Sequence, residues 1–460
     1  MKRFFGTLLL LLIVATGFCK SPKYIFYFIG DGMGPSHVRG TELFVSELFK
    51  PVHKKDIRLI FTGFPQVALV TTHSASNGVT DSAASGTALA TGSKANNGYI
   101  GVDANGEEVY SIAHKAKEKG LAVGIATTVP INHATPAAFY AHNKSRNNYH
   151  EIAQWMLTAG YDFYAGGDAK CTNEQREVLY NKAEEQGYTI ARGYSDYKAK
   201  ADDAEKMMLY QKNVSEELPY AIDNEYDNVD LNLYNITRAG IEFLYNKNKD
   251  GFFFMVEGGK IDYASHSDDA ATVFHEVVGF NSAIDAAMEF YNQHKEETLI
   301  IVTADHETGG LVLGYNGNYA LYFKELTKQK VSVNKLQAML QALGNTTWGK
   351  VNEIVKENTG VEIRKKHDCN ASVEVTSDLA GRIAAEAIYD IDRKAAVSWA
   401  SGNHSGTYVP LYAIGCGAEE FHGVMDNTDI PKTIERVAEL NKNKKEKRRK
   451  TGNIRGIHLN

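Results

Sequence analysis

The sequence predicts an α/β protein, with a large, mainly parallel central sheet flanked by helices on both faces and a subdomain inserted over one edge. Three observations predict it. Short continuous apolar runs recur at Tyr24–Ile29, Phe252–Val256 and Thr298–Thr303, as expected of strands buried on both faces. Stretches of helical spacing, such as Leu231–Asn246, lie between them. Each run is followed within two residues by Asp or Glu, and a doubly wound sheet gathers such strand ends along one edge, where ligands bind.

The first residues stand apart from the rest. Lys2 and Arg3 precede the apolar run Leu8–Ala15, and Thr16-Gly-Phe-Cys19 follows, so residues 1–19 read as a secretory signal peptide. The run is too short to be a membrane anchor, and no other segment is long and apolar enough to cross a bilayer. A lipid-modified Cys19 is the alternative, against which the bulky Phe18 argues. Export would place the mature chain in the periplasm or outside the cell. Residues 20–460 read as a single domain ending in a basic tail, 441–460. A hydrophobic fraction of 43% and a charged fraction of 23% are those of a globular protein, and a net charge of -6 gives no reason to expect nucleic-acid recognition. Cys171, Cys369 and Cys416 are too few for a disulfide scaffold and too widely spaced for a zinc knuckle.

Taken in order, Tyr24–Ile29 feeds Gly30-Asp31-Gly-Met-Gly34, and Gln66–His73 reads as a second strand. Val79-Thr-Asp-Ser82-Ala-Ala-Ser-Gly-Thr87 then packs small residues around Asp81, which reads as a helix cap that leaves Ser82 among the free N–H groups of the first turn. Glu108–Lys119 is helical and Leu121–Ile125 is another buried strand. It runs into His133-Ala-Thr135-Pro136, where Pro136 in a first helical turn makes Thr135 the expected N-cap. Arg146 follows; alone it is an ordinary surface arginine. Residues 147–230 are polar and charge-rich, helical at Asn173–Glu185, and offer little chemistry.

After Phe252–Val256 come Glu257, Asp262, Tyr263 and His266. Asp262 and His266 share one face if the turn is helical, half of a zinc site or simply a structural pair. A helix near Ala271–Tyr291 precedes Thr298–Thr303, which ends in Ala304-Asp305-His306-Glu-Thr308. Residues 311–395, helical at Val333–Leu343 and Val375–Tyr389, read as the insertion over the site. Strand-like Ala396–Ala400 and Tyr408–Ile414 bracket His404 in a Gly/Ser turn. Oxygen and imidazole donors without thiolates suit zinc and magnesium.

Together these motifs resemble the alkaline phosphatases. The resemblance rests on Asp31-Gly-Met-Gly, Val79-Thr-Asp-Ser82-Ala-Ala-Ser-Gly-Thr, Ala134-Thr-Pro-Ala-Ala, Val256-Glu-Gly, Thr303-Ala-Asp-His and His404-Ser-Gly, six motifs in family order across nearly all of the mature chain. It implies hydrolysis of phosphate monoesters, with Ser82 as the nucleophile that becomes phosphorylated and Arg146 as the phosphate clamp. It implies two zinc ions, one on Asp262, His266 and His404, the other on Asp31, Asp305 and His306. It further implies one magnesium on Asp31, Thr135 and Glu257, and a homodimer. Asp81 is a candidate partner for Arg146. His133 and Tyr263 depart from the best-known bacterial pattern of aspartate and lysine, which leaves the third metal open either to zinc or to a weakly held magnesium that must be added. A diesterase or sulfatase-like relative fits less well: Arg146, Thr135 and Glu257 are present, and Ser82 lacks the Cys/Ser-x-Pro-x-Arg setting of a sulfatase. A non-catalytic phosphate- or metal-binding protein would not need the intact nucleophile.

Overall fold

The computed structural model describes residues 21–49, 57–223, 230–315, 317, 319–364 and 367–441. The expected leader 1–19, Cys19, and all but the first residue of the basic tail therefore lie outside the described residues. In chain order the strands are β1 (Tyr24–Gly30), β2 (Gln66–Thr71), β3 (Ala122–Pro130), β4 (Phe163–Gly167), β5 (Tyr188–Arg192), β6 (Lys206–Tyr210), β7 (Phe252–Gly258) and β8 (Thr298–Thr303). They continue as β9 (Glu307–Thr308), β10 (Val312–Leu313), β11 (Asn345–Thr347), β12 (Ser372–Glu374), β13 (Val397–Ser398), β14 (His404–Ser405), β15 (Val409–Gly415) and β16 (Gly423–Asp426).

Ten of them form one sheet in the order β16-β2-β15-β8-β1-β7-β3-β4-β6-β5. All pairings are parallel except those of β15, which runs against both β2 and β8. The central strands are apolar on both sides, and Tyr24–Ile29, Phe252–Val256 and Leu299–Val302 are all buried. Helices on both faces make that possible: the 24-residue helix Ala270–Gln293 buries thirteen residues against the sheet and its neighbours, and Leu233–Lys247 buries its apolar stripe.

Register fixes where the site can form. Ile29 lies opposite Glu257 on β7 and opposite Thr303 on β8. The three strands end level, so Asp31, Glu257 and Asp305 emerge side by side on the carboxyl edge.

Several expectations need correction. Residues 147–230 supply three strands of the sheet, β4, β6 and β5, which the polar composition concealed. The helix at 134–137 starts two residues earlier than expected: His133, in extended conformation, is its N-cap, and Thr135 lies inside it. The helix expected at Glu108–Lys119 begins only at Ile112, because Ser111 caps it by accepting from the N–H of His114. Ala396–Ala400 contributes only β13, which pairs with β10 outside the main sheet. Between these two strands, the described residues of 314–396 add no strand to the large sheet; they carry the antiparallel β11–β12 pair and the helices Val333–Gln341, Trp348–Thr359 and Ser377–Lys394.

Candidate active site and metal centre

The helix Ser82–Thr91 begins where the sequence placed it. Asp81 is its N-cap, accepting from the N–H of Ala84 at 3.0 Å, and Ser82 is the first helical residue. Small residues are required because this helix packs closely on the 134–137 turn: a Cβ on Gly86 would sit 3.2 Å from the Cα of Thr135. Ser85 ties the helix to the end of β8, its hydroxyl donating to the Asp305 carbonyl at 2.6 Å.

Ser82 Oγ lies 3.2 Å from His306 Nε2. The same nitrogen is 3.2 Å from Asp31 Oδ1 and 3.4 Å from Asp305 Oδ2, all three residues being fully buried. Beside them, the helix Lys260–His266 presents Asp262 and His266 on one face, with His266 Nε2 3.3 Å from Asp262 Oδ2. His404, on β14, closes that group at 3.6 Å from Asp262 Oδ1. Three sets of donor atoms thus lie close enough to hold a metal ion: Asp262, His266 and His404; Asp31, Asp305 and His306; and Asp31, His133 and Glu257. Thr135 joins the third, its hydroxyl 3.3 Å from Asp305 Oδ2 and 3.5 Å from Asp31 Oδ2.

Arg146 reaches in from outside the sheet and donates to Asp81 Oδ2 at 3.1 Å and to His133 Nε2 at 3.0 Å. Tyr263 packs its ring edge-to-face on His133 at 5.8 Å between centroids. Every residue singled out in the sequence therefore converges on one edge. Sequence reasoning gave no role to Thr308 and Thr127. Thr308 bonds Asp262 and His306, and the buried Thr127 hydroxyl donates to Glu257. Thr127 sits on β3 opposite Glu257 on β7, a pairing visible only once the strands are in register.

The electrostatics call for cations. Burial pushes the Asp31 carboxyl far above its usual range, and the neighbouring Asp305, Asp262 and Glu257 push it further. Burial likewise raises Glu257 to about 8 and Asp305 to about 7. Asp31 Oδ1 and Glu257 Oε1 are buried without a hydrogen-bond partner. His266 Nδ1 donates to the Gly402 carbonyl at 2.7 Å and His404 Nδ1 to the Thr80 carbonyl at 2.8 Å, so in the neutral rings both Nε2 atoms carry bare lone pairs. Those two atoms face each other at 3.2 Å. Partnerless buried carboxylates and opposed lone pairs are costly alone and favourable around a cation, so the residues fit metal ions. The approach is an open cavity of about 340 Å³, lined by Asn77, Val79, Thr80, Asn97, His266, Asn403 and His404. No charged side chain other than the histidines lines it.

Comparison with known proteins agrees with this geometry. The family model described as alkaline phosphatase matches residues 22–165 and 156–440. Alkaline phosphatase 4 of Bacillus subtilis is 32% identical over 431 residues, spanning 91% of this chain and 89% of the relative. Alkaline phosphatase 3 of the same organism is 33% identical, with the same coverage. A cold-active alkaline phosphatase from a psychrophilic Shewanella superposes with a TM-score of 0.78 at 31% identity, covering 90% of this chain and 99% of that one. The enzyme of the Antarctic bacterium TAB5 is 28% identical, with a TM-score of 0.67, covering 92% of this chain and all of that one. A variant of the TAB5 enzyme in which a histidine is replaced by aspartate has magnesium bound in its M3 site. With donor sets suited to metal ions gathered beside a capped serine, the chain belongs to the alkaline phosphatase family of phosphomonoester hydrolases.

Proposed function

We propose that the chain hydrolyses phosphate monoesters through a phosphoserine on Ser82, with two zinc ions and one magnesium as resident cofactors. Asp262, His266 and His404 would hold one zinc, and Asp31, Asp305 and His306 the other. Asp31, Thr135 and Glu257 would hold the magnesium. The observation that supports this most is the sharing of Asp31 between two donor sets, one of which places His306 Nε2 3.2 Å from Ser82 Oγ. When bound, the zinc ions supply Lewis acidity, making a serine hydroxyl or a water a competent nucleophile at neutral pH and stabilising the entering and leaving oxygens.

The chain's own residues do the rest. Ser82 Oγ forms a bond to phosphorus as the P–O bond to the alcohol breaks, and the alcohol departs with a proton. Water then attacks the phosphoserine, the Oγ–P bond breaks and inorganic phosphate leaves; two in-line displacements give net retention at phosphorus. Arg146 offers a planar fork to two phosphoryl oxygens, with Asp81 holding one guanidinium nitrogen in place. The free N–H groups at the start of the helix Ser82–Thr91 face the same oxygens. The open, largely uncharged rim supports recognition of the phosphate rather than of the alcohol.

His133 is the residue that decides the third metal. Magnesium prefers oxygen donors, and the TAB5 variant that holds magnesium carries a carboxylate in place of a histidine. An imidazole beside Asp31 and Glu257 leaves this set open to zinc as well. The chain would act as a homodimer and be exported through residues 1–19 into the periplasm or beyond; no helix among the described residues is long and apolar enough to cross a membrane.

The test is hydrolysis of p-nitrophenyl phosphate against its bis-ester at alkaline pH, with metal content measured before and after chelation. Monoester turnover is expected to disappear with the zinc and return on its addition. A zinc- and magnesium-loaded chain inert toward the monoester would overturn the reading.

A further inference from the structure

We propose that Thr308 is the positioning residue that couples the two zinc sets, an inference that rests on the zinc reading above. It is fully buried, and its single hydroxyl lies 2.5 Å from Asp262 Oδ1 in one set and 3.2 Å from His306 Nδ1 in the other. Hydrogen counting gives the direction of both bonds. A carboxylate only accepts, so the one hydroxyl proton goes to Asp262. What remains on Oγ1 is lone pairs, so His306 must donate from Nδ1. The proton of the neutral imidazole is thereby fixed on Nδ1, leaving Nε2 bare where it faces Ser82 Oγ, Asp31 and Asp305.

The backbone holds Thr308 in place for this. Its N–H donates to the Gly32 carbonyl at 3.1 Å, next to Asp31, and its Cα pairs in register with His404 on β14. Gly32 has φ +76, and a Cβ there would come within 2.8 Å of Thr308 Oγ1 and 3.1 Å of the Asp262 Cα. Glycine at this turn therefore leaves the space in which the hydroxyl spans the two sets. One atom orients a carboxylate of the first set and selects the tautomer of an imidazole in the second. Loss of the hydroxyl disturbs both sets at once.

The experiment strips the full-length chain of metal and titrates zinc against a chromophoric chelator, for wild type, Thr308→Val and Thr308→Ser. Valine keeps the shape and removes the hydroxyl; it should weaken both zinc equivalents by about 10–100-fold, and serine should restore them to within about 3-fold. Unchanged affinities in Thr308→Val, a loss confined to one equivalent, or failure of serine to restore binding would overturn the coupling while leaving the zinc reading intact. A wild-type chain that takes up no zinc would overturn both. A second measurement needs no folded valine variant: imidazole nitrogen shifts of metal-free wild type, assigned by difference from His306→Gln, should report His306 protonated at Nδ1. Protonation at Nε2 would overturn the proposal.

Discussion

Asp31 and Asp168 occupy the same kind of place and have opposite surroundings. Each is the first residue after a parallel strand, Asp31 after β1 and Asp168 after β4, and each is fully buried. Asp168 is saturated by its neighbours: Arg192 Nη1 at 2.8 Å, the Tyr180 hydroxyl at 2.6 Å and the Ser215 N–H at 3.0 Å serve its two oxygens. Asp31 instead faces Asp305, Glu257 and Asp262, and its Oδ1 has no hydrogen-bond partner. An aspartate at a strand end becomes a site only where the protein withholds a cation of its own. The fold provides both places; the neighbours decide which is structural and which awaits a ligand.

The sharpest way to break the comparison is to neutralise both residues. Asp31→Asn should lower monoester turnover by on the order of 10³-fold, because the proposed zinc and magnesium sites share this carboxylate. In metal-free protein above pH 8 the same change should raise the melting temperature, since it removes one of several mutually repelling carboxylates. Calorimetry of the chelated variant beside steady-state kinetics of the loaded one checks both halves. A fall in apo stability would show that Asp31 is held by partners after all.

Asp168→Ala should do the reverse. Truncation leaves the Arg192 guanidinium without its counter-charge and the Tyr180 hydroxyl without its acceptor. Because Arg192 is partly exposed, the expected loss is about 2–3 kcal/mol, below that of a fully buried pair. Urea unfolding would read that loss. Turnover per folded molecule and zinc content should stay at wild-type values, and a loss of either would mean that the two regions are not independent.

The same contrast explains what the sequence disclosed. The site was legible because its residues follow strands that identify themselves: β1, β7 and β8 carry the uninterrupted apolar runs Tyr24–Ile29, Phe252–Val256 and Leu299–Val302, and Asp31, Glu257, Asp305 and His306 stand at or just past their ends. The half of the sheet that carries Asp168 was not. β4, β5 and β6 are five residues each, and Gly166–Gly167, Arg192 and Lys206 break their apolar runs, so a polar region of short strands resembled surface loops and helices. The expected cap at Thr135 failed because His133 takes the extended conformation one residue before the helix. Thr308 was in view within Ala304-Asp-His-Glu-Thr308, but its partner Asp262 is 46 residues away. No local pattern announces a hydroxyl whose role depends on joining a neighbour two residues away, His306, to a carboxylate as distant as Asp262.

The smallest effect expected is a dependence of stability on pH that only one of the two regions generates. In the absence of metal, Glu257 is raised to about 8 and Asp305 to about 7, chiefly by burial, while unfolding returns both to ordinary carboxylate values. The folded state then binds more protons than the unfolded chain between about pH 4 and pH 8, so stability is greatest at the acid end and falls as pH rises through the folded pKa values. His266, raised to about 9 chiefly by its bond to Asp262, adds in the same direction as it loses its proton. The buried His133 and His306, held neutral chiefly by burial, act oppositely, but only below about pH 6.5, where the unfolded chain protonates. Between pH 7 and pH 9 the slope should therefore be negative in chelated protein and shallower once metal neutralises the carboxylates of the site, with the buried Glu276, raised to about 7 chiefly by burial, keeping part of it. Differential scanning calorimetry across that window measures it. Asp168→Ala should shift the whole curve downward without altering its slope, whereas Asp31→Asn should flatten it, because it removes a carboxyl that burial and its acidic neighbours raise far above the usual range.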